Sequence, residues 1–446
     1  MSVKDVVVPV KSDSDDREYR VITLSNNIQA ILVSDPETDK SAASMAVNVG
    51  SFSDPKDCLG LAHFLEHMLF LGTEKFPDEA SYGAAVNKYG GSLNAWTDKE
   101  VTNYFFDVTP EYLDEILDRF SQFFIAPLFT ASATDREMNA VHSEHQKNLQ
   151  SDSWRSFEML RQAMNPEHPF GRFATGDLTT LRDKPTELGL NVRDILLKFH
   201  ADHYSANMMK VSIYGKEDLD TLQAYALKYF APIADKGVAA PAFEKDIEKI
   251  VAEPRTVFEF APVTDRRRVS MQWVLPSCVA HWDSNPLGLL SHLIGYEGPK
   301  SVLSYLKHQG WAEALMSSVD HNDTFSQFGV DVDLTEEGLS HIAEVMQAVC
   351  AYVRMVVAAS DADLLRIHEE LLKLDELRFR FKAKEEPFSY VSDLTCNLLK
   401  YPAKEVLRAP HISPVFRPDL VREYAQRLTA DNAVIQIIAK AVNSGT

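Results

Sequence analysis

Apolar residues recur along this chain with two periods, and where the period switches the sequence predicts its elements. Residues 19–24 and 28–33 are short runs rich in Val, Ile and Leu that flank Ser25-Asn26-Asn27, the chemistry of a hairpin. A third strand is predicted over 44–50. Asp54-Pro55 breaks the pattern, and 58–71 is then strongly apolar at helical spacing. A helix over 78–89 stops at Gly90-Gly91, and 101–108 reads as a strand with Tyr104, Phe105 and Phe106 in succession. Helices follow from Pro110 to about Phe124, from Ser132 to about Leu149 and onward to about 200, then a strand over 208–214 and a helix over 217–229.

The stretch 231–255 has little periodicity and reads as a linker. Beyond it come strands near 256–260 and 269–275, helices near 284–309, a β segment at 325–334 and helices past 336. Hairpins mixed with long helices predict an α+β fold of layered antiparallel sheets and helices rather than a doubly wound parallel sheet. A length of 446 residues predicts two domains, placed at 1–243 and 244–446.

Composition narrows the function. The 65 Asp and Glu outnumber the 45 Lys and Arg for a net charge of −20, which argues against nucleic acid or an anionic membrane as partner. No stretch of 18 or more apolar residues is found, so no segment is expected to span a membrane. Four cysteines without CxxC spacing suit a reducing compartment, and the N-terminal segment lacks an apolar or Arg-rich leader, so the expectation is cytoplasmic. The basic run Arg266-Arg267-Arg268 reads as a solvated loop.

The sharpest chemical signal is His63-Phe64-Leu65-Glu66-His67. On a helix, residues four apart lie one above the other, so two imidazoles at this spacing can converge on one Zn²⁺. Glu66 shares that face and can act as a general base on water. The bland alternative is a helix with two half-buried histidines, but the apolar flanks bury this helix nearly all round, and buried imidazoles need partners. A third ligand is wanted. The predicted helix from Ser132 offers Glu137, His142, Glu144 and His145, and spacing alone does not choose among the four.

The string from His63 through Pro77, the segment Gly90-Gly91-Ser92-Leu93-Asn94-Ala95-Trp96-Thr97 and the run from Glu137 to Asn148 closely resemble the insulysin branch of the pitrilysin family of inverted-motif (HxxEH) zinc metallopeptidases. The likeness continues through the segments beginning at His168, His203, His292, Val332 and Phe379, and covers about residues 17–440. It implies one Zn²⁺ per chain held by His63, His67 and Glu144, with Glu66 as catalytic base and Glu137 supporting the site. Asn94, Ala95 and Thr97 fall on an edge strand that pairs with substrate backbone. Phe70, Trp96, Trp154 and Phe157 fall around the scissile bond, and Gly295 and Tyr296 fall where the family anchors the substrate N-terminus. The resemblance thus implies an endopeptidase cutting internal bonds of small unfolded peptides, its second domain serving as chamber wall and exosite.

Three departures shape that expectation. The likeness is to the N-terminal half of the family, ending at 441–446 near its inter-half linker. The other half's Arg and Tyr that grip the substrate carbonyl have no counterpart here. The chain then needs a homologous C-terminal half, a second subunit or another copy of itself to close the chamber. Two other expectations follow: a half or subunit that binds peptide without catalysis, or a subunit of the processing-peptidase kind. Tyr296 stands where the family usually has His. Leu65 stands where some relatives carry Cys, so the site is expected to resist thiol-directed inactivation.

Overall fold

The structure, a computed structural model, describes residues 2–440; the expected inter-half junction at 441–446 lies outside them. The chain forms two compact units that interleave in sequence. The first takes in the chain up to His145, then Phe173–Pro241 and Glu376–His411; the second takes in Gln146–Arg172, Ala242–Asp375 and the chain from Ile412.

The first unit is built on seven strands, β1 (Val3–Val7), β2 (Glu18–Leu24), β3 (Gln29–Ser34), β4 (Ser41–Val47), β5 (Ser92–Thr97), β6 (Thr102–Val108) and β7 (Met209–Gly215). Their order is β1-β2-β3-β7-β4-β6-β5, antiparallel except where β3 runs parallel to β7. β5 is therefore an edge, joined to β6 with Thr97 opposite Thr102.

Both faces of this sheet are covered over its middle, which is why β3, β4 and β6 are buried almost throughout, without alternation. Ala30, Leu32, Ala43, Met45, Tyr104 and Phe106 belong to one core, shared with helices α1 (Leu61–Leu69), α2 (Ser81–Lys88) and α3 (Leu113–Ile125). Their neighbours Ile31, Val33, Ala42 and Phe105 belong to another, filled by Tyr390, Val391, Leu394 and Leu398 of the helix Pro387–Lys400. The run Tyr104-Phe105-Phe106 simply feeds the two faces in turn. α3 buries Leu113, Ile116, Leu117, Phe120, Phe123 and Phe124, the three-and-four spacing of one helix face. The long helix α4 (Ala131–Asn148) is mostly polar and buries only Ala133, Thr134, Met138 and Val141.

The second unit carries β8 (Val257–Phe260), β9 (Arg268–Pro276), β10 (Ala312–His321), β11 (Phe325–Leu334) and β12 (Val434–Ile438), ordered β10-β11-β9-β12-β8. Only β12 and β8 run parallel. Arg268, expected in a solvated loop, starts β9 and pairs with Asp331 and Asp333 of β11. The stretch Glu337–Ala358 is long and apolar enough, by length and composition, to cross a membrane. Its Val345, Val349, Val353 and Val356 lie in the core of this unit.

Three elements depart from the sequence pattern: β1, β10 and β12 lie where no strand was expected, while the helices expected near 284–309 are Pro286–Ile294 and Val302–His308. β10 is an edge strand in which only Ala312 and Leu315 are buried, so it lacks the regular apolar alternation by which strands are recognised.

Candidate active site

The sequence folds α1 by terminating it deliberately. Gly60, at its N-cap, takes a φ of +85°, which glycine adopts without strain. The Asp54 carboxylate accepts hydrogen bonds from Gly60 N at 2.7 Å and Ala62 N at 2.8 Å, filling the role of an N-cap side chain from six residues upstream. Leu61, Ala62, Phe64, Leu65, Met68 and Leu69 fix the helix in the core, so His63 and His67 emerge on its one remaining face.

The imidazoles meet at their Nε2 atoms, 3.3 Å apart. Glu144 Oε2, from α4, lies 3.6 Å from His63 Nε2 and 3.5 Å from His67 Nε2. The rear nitrogens are both engaged: His63 Nδ1 is 2.6 Å from the Thr175 carbonyl and His67 Nδ1 is 2.8 Å from Glu137 Oε1. Glu137 and Glu144, two turns apart on α4, thus reach the same place with different tasks.

This triangle fits a metal ion on its own geometry. A tetrahedral ion with ligands at about 2.1 Å has ligand–ligand edges of about 3.4 Å, and the three edges here are 3.3, 3.5 and 3.6 Å. Rear hydrogen bonds to an oxygen acceptor fix each imidazole in the tautomer that presents Nε2 as a lone pair. Among the described residues, His63, His67 and Glu144 are the one group of three or more such side chains with this convergence. Of the other candidate ligands, His145 packs its ring against Phe173 at 4.9 Å, and His142 is half-buried with its Nδ1 enclosed and unbonded.

Electrostatics follow from crowding. Burial works against a charge on His67, but Glu137 and Glu144 more than offset it and raise its pKa to about 9. Burial raises the Glu66 carboxyl above the ordinary carboxylate range, against the opposing pull of His63, a Thr97 hydrogen bond and His67. Glu66 is 7% exposed, and its Oε2 accepts from Thr97 Oγ1 at 2.5 Å.

The remaining expected residues are distributed. Asn94 and Ala95 lie on the edge strand β5, Asn94 exposed and Ala95 packed on the core shared with α1. Trp96 points to the opposite face, joins the core under the helix Pro387–Lys400 and donates from Nε1 to Ser392 Oγ at 3.4 Å. Phe70 packs edge-on to Phe123 at 5.2 Å within the aromatic core. Trp154, Phe157, Gly295 and Tyr296 belong to the second unit, where Trp154 and Tyr296 are exposed and Phe157 packs towards Phe170. Sequence reasoning missed Thr175, whose contribution is a backbone carbonyl, and Asp54, which read only as a chain breaker.

Three family profiles match in succession: Insulinase (Peptidase family M16) over residues 29–167, Peptidase M16 inactive domain over 191–371 and Middle or third domain of peptidase_M16 over 379–446. The chain belongs to the M16 peptidase family. Insulin-degrading enzyme of Bos taurus is 41% identical over 439 residues, which are 98% of this chain and 43% of that protein. This M16 chain therefore spans less than half the length of the curated relative it matches. The crystal structure of pitrilysin superposes with a TM-score of 0.93 at 29% identity, covering 99% of this chain and 47% of that one. A protease from Helicobacter pylori, 17% identical with a TM-score of 0.73, shares the fold; the match covers 95% of this chain and 99% of that one. The fold therefore also occurs in a chain matched over nearly its whole length.

Proposed function

We propose that this M16 chain is the catalytic part of a zinc-dependent endopeptidase that hydrolyses internal bonds of small unfolded peptides. The observation that carries the proposal is the closed triangle of His63, His67 and Glu144, with edges of 3.3–3.6 Å, beside a buried carboxylate. Held there, Zn²⁺ would polarise a substrate carbonyl and make a water molecule easier to deprotonate. Glu66 takes the proton of the attacking water at its carboxylate and returns it to the leaving amine nitrogen. The Thr175 carbonyl and Glu137 keep both imidazoles aimed, and β5 offers free main-chain groups at a sheet edge, which suits an extended peptide and is tolerant of its sequence.

One observation favours a second reading. The chain covers 43% of insulin-degrading enzyme of Bos taurus, and the family resemblance implies that an Arg and a Tyr of the other half grip the substrate carbonyl. The chain is then a half that binds zinc and peptide, with turnover only when a homologous half, a subunit or a second copy is present.

A quenched fluorescent peptide incubated with the purified chain, with and without chelator, separates the readings, with mass in solution measured alongside. The first expects chelator-sensitive cleavage that Glu66→Gln abolishes while zinc stays bound. The second expects zinc and peptide binding, unchanged by Glu66→Gln, and no cleavage. A chain that binds no zinc sinks both.

A further inference from the structure

We propose that Thr97 is a positioning residue: it fixes the rotamer of Glu66 and ties the general base to the strand that takes the substrate. This rests on the peptidase reading and goes beyond it, because the resemblance assigns Thr97 to substrate contact.

Thr97 is the last residue of the edge strand β5, so its backbone belongs to the surface available to a peptide. Strand alternation decides where its side chain goes. Leu93 and Ala95 pack on the core shared with α1, whereas Trp96 lies on the far face and reaches Ser392. Thr97 follows Leu93 and Ala95 in phase, and its hydroxyl meets Glu66 Oε2 at 2.5 Å.

A threonine hydroxyl has one proton to give. Against a carboxylate that can only accept, the Thr97 proton is committed to Glu66. The Thr102 hydroxyl, opposite Thr97 in register, gives its own proton to the Val49 carbonyl at 2.8 Å and sits 3.5 Å from Thr97 Oγ1. Thr97 is thus flanked by β6 on one side, and its neighbour Trp96 is held by Ser392 on the other face of the sheet. The glutamate is the flexible member of the pair, with three side-chain torsions, and in a site 7% exposed it has no water shell to orient it. A single charge-assisted hydrogen bond from the substrate strand then sets where the base stands.

The test compares Thr97→Val, nearly isosteric and equally β-branched, with Thr97→Ser, which keeps the hydroxyl. On the zinc-loaded chain, Thr97→Val is expected to lower kcat about 10- to 100-fold, the range for removing one hydrogen bond to a charged group. Its KM should stay within about two-fold and its zinc content at one ion per chain, and Thr97→Ser should recover most of the loss. A residue that merely contacts substrate would raise KM; a structural one would lose zinc or melt early in both variants. Either result overturns the assignment. If the wild-type chain binds zinc but cleaves nothing, the peptidase reading fails for it, and crystal structures then decide on Thr97. A Glu66 carboxylate displaced in Thr97→Val and restored in Thr97→Ser supports the assignment, and one left in place overturns it.

Discussion

At the scale of single residues, the site depends on two glycines as much as on its ligands. A Cβ on Gly60 would fall 2.2 Å from Gly176 Cα, and both residues hold left-handed φ values of +85° and +84°. That contact lets the chain through Thr175 lie close enough to α1 for its carbonyl to reach His63. Gly60→Ala is therefore expected to cost more than about 2 kcal/mol, from backbone strain plus the clash. Denaturant unfolding would show the loss, and zinc titration would show weaker binding even though no ligand has changed. Glu137→Gln keeps an acceptor for His67 Nδ1 but removes the negative charge behind it; competition with a chelator should show zinc held about 10- to 100-fold less tightly. Cys58 has no exposed surface, and burial first, then Asp54, pushes its thiol up to about 12. N-ethylmaleimide should label it only after unfolding, detectable by peptide mass mapping. The pairing of His63 with His67 was legible in the sequence because imidazole spacing is chemistry written in side chains, whereas spacing left Glu137, His142, Glu144 and His145 open and the family resemblance alone singled out Glu144. Thr175 was not, since a backbone oxygen carries no residue signature, and neither was the face to which Trp96 turns, which depends on strand phase.

At the scale of elements, the helix Pro387–Lys400 has the least expected role. Strands near 19–34, 44–50, 101–108 and 208–214 could be read from periodicity, and α1 from its apolar run, but nothing in that helix's pattern says which sheet it covers. The structure lays it on the first unit through a buried polar seam. Asn103 Nδ2 of β6 faces Ser392 O and Oγ at 3.2 Å and Thr395 Oγ1 at 3.1 Å, while Ser44 Oγ of β4 reaches Asn103 Oδ1 at 2.6 Å. The entrance to the helix is tied by charge: Lys384 Nζ lies 2.9 Å from Asp35 Oδ2, and Tyr214 donates to the same carboxylate at 2.5 Å. Burial alone would raise the Asp35 pKa, but Tyr214 and Lys384 outweigh it and leave the carboxyl below its usual range. A depressed folded pKa means the group stabilises the fold above its unfolded value of about 4, and that contribution disappears as pH falls through the folded value. Asp35→Asn should thus be less stable than wild type at pH 7, with the difference shrinking below about pH 4. Urea midpoints across pH would show it; a difference constant with pH would remove the charge from the account.

At the scale of the whole chain, sequence order and folded units do not coincide, and this has a consequence that a boundary drawn from composition conceals. The stretch 231–255 does read as a linker, yet the chain returns to the first unit at Glu376–His411 and completes the second unit's sheet only with β12. A chain cut after Asp375 would keep every strand of the first unit, both ligand helices, and Glu66. It would lose Tyr390, Val391, Leu394 and Leu398, exposing Tyr19, Val21, Ile31, Val33, Phe105 and Tyr214 on one sheet face. Each lost side chain contributes about 1.5–3 kcal/mol of burial, an upper estimate but together comparable to the whole stability of a domain. Ser44 and Asn103 would lose their buried partners on that helix, and Trp96, beside Thr97 on the edge strand, would lose its pin. In the second unit, β12 lies between β9 and β8, so its removal strips β8 of the one strand that pairs with it among the described residues. The truncated chain is therefore expected to aggregate or bind a hydrophobic dye strongly, and to retain far less than one zinc per chain, although it carries His63, His67 and Glu144. Joining residues 376–411 through a flexible linker to a chain cut after Pro241 should restore zinc binding to the first unit better than lengthening that chain to any point short of Glu376. If the chain ending at Asp375 instead stays monomeric, excludes the dye and holds zinc as tightly as the full chain, then the returning helix is dispensable and the metal site stands on α1 and α4 alone.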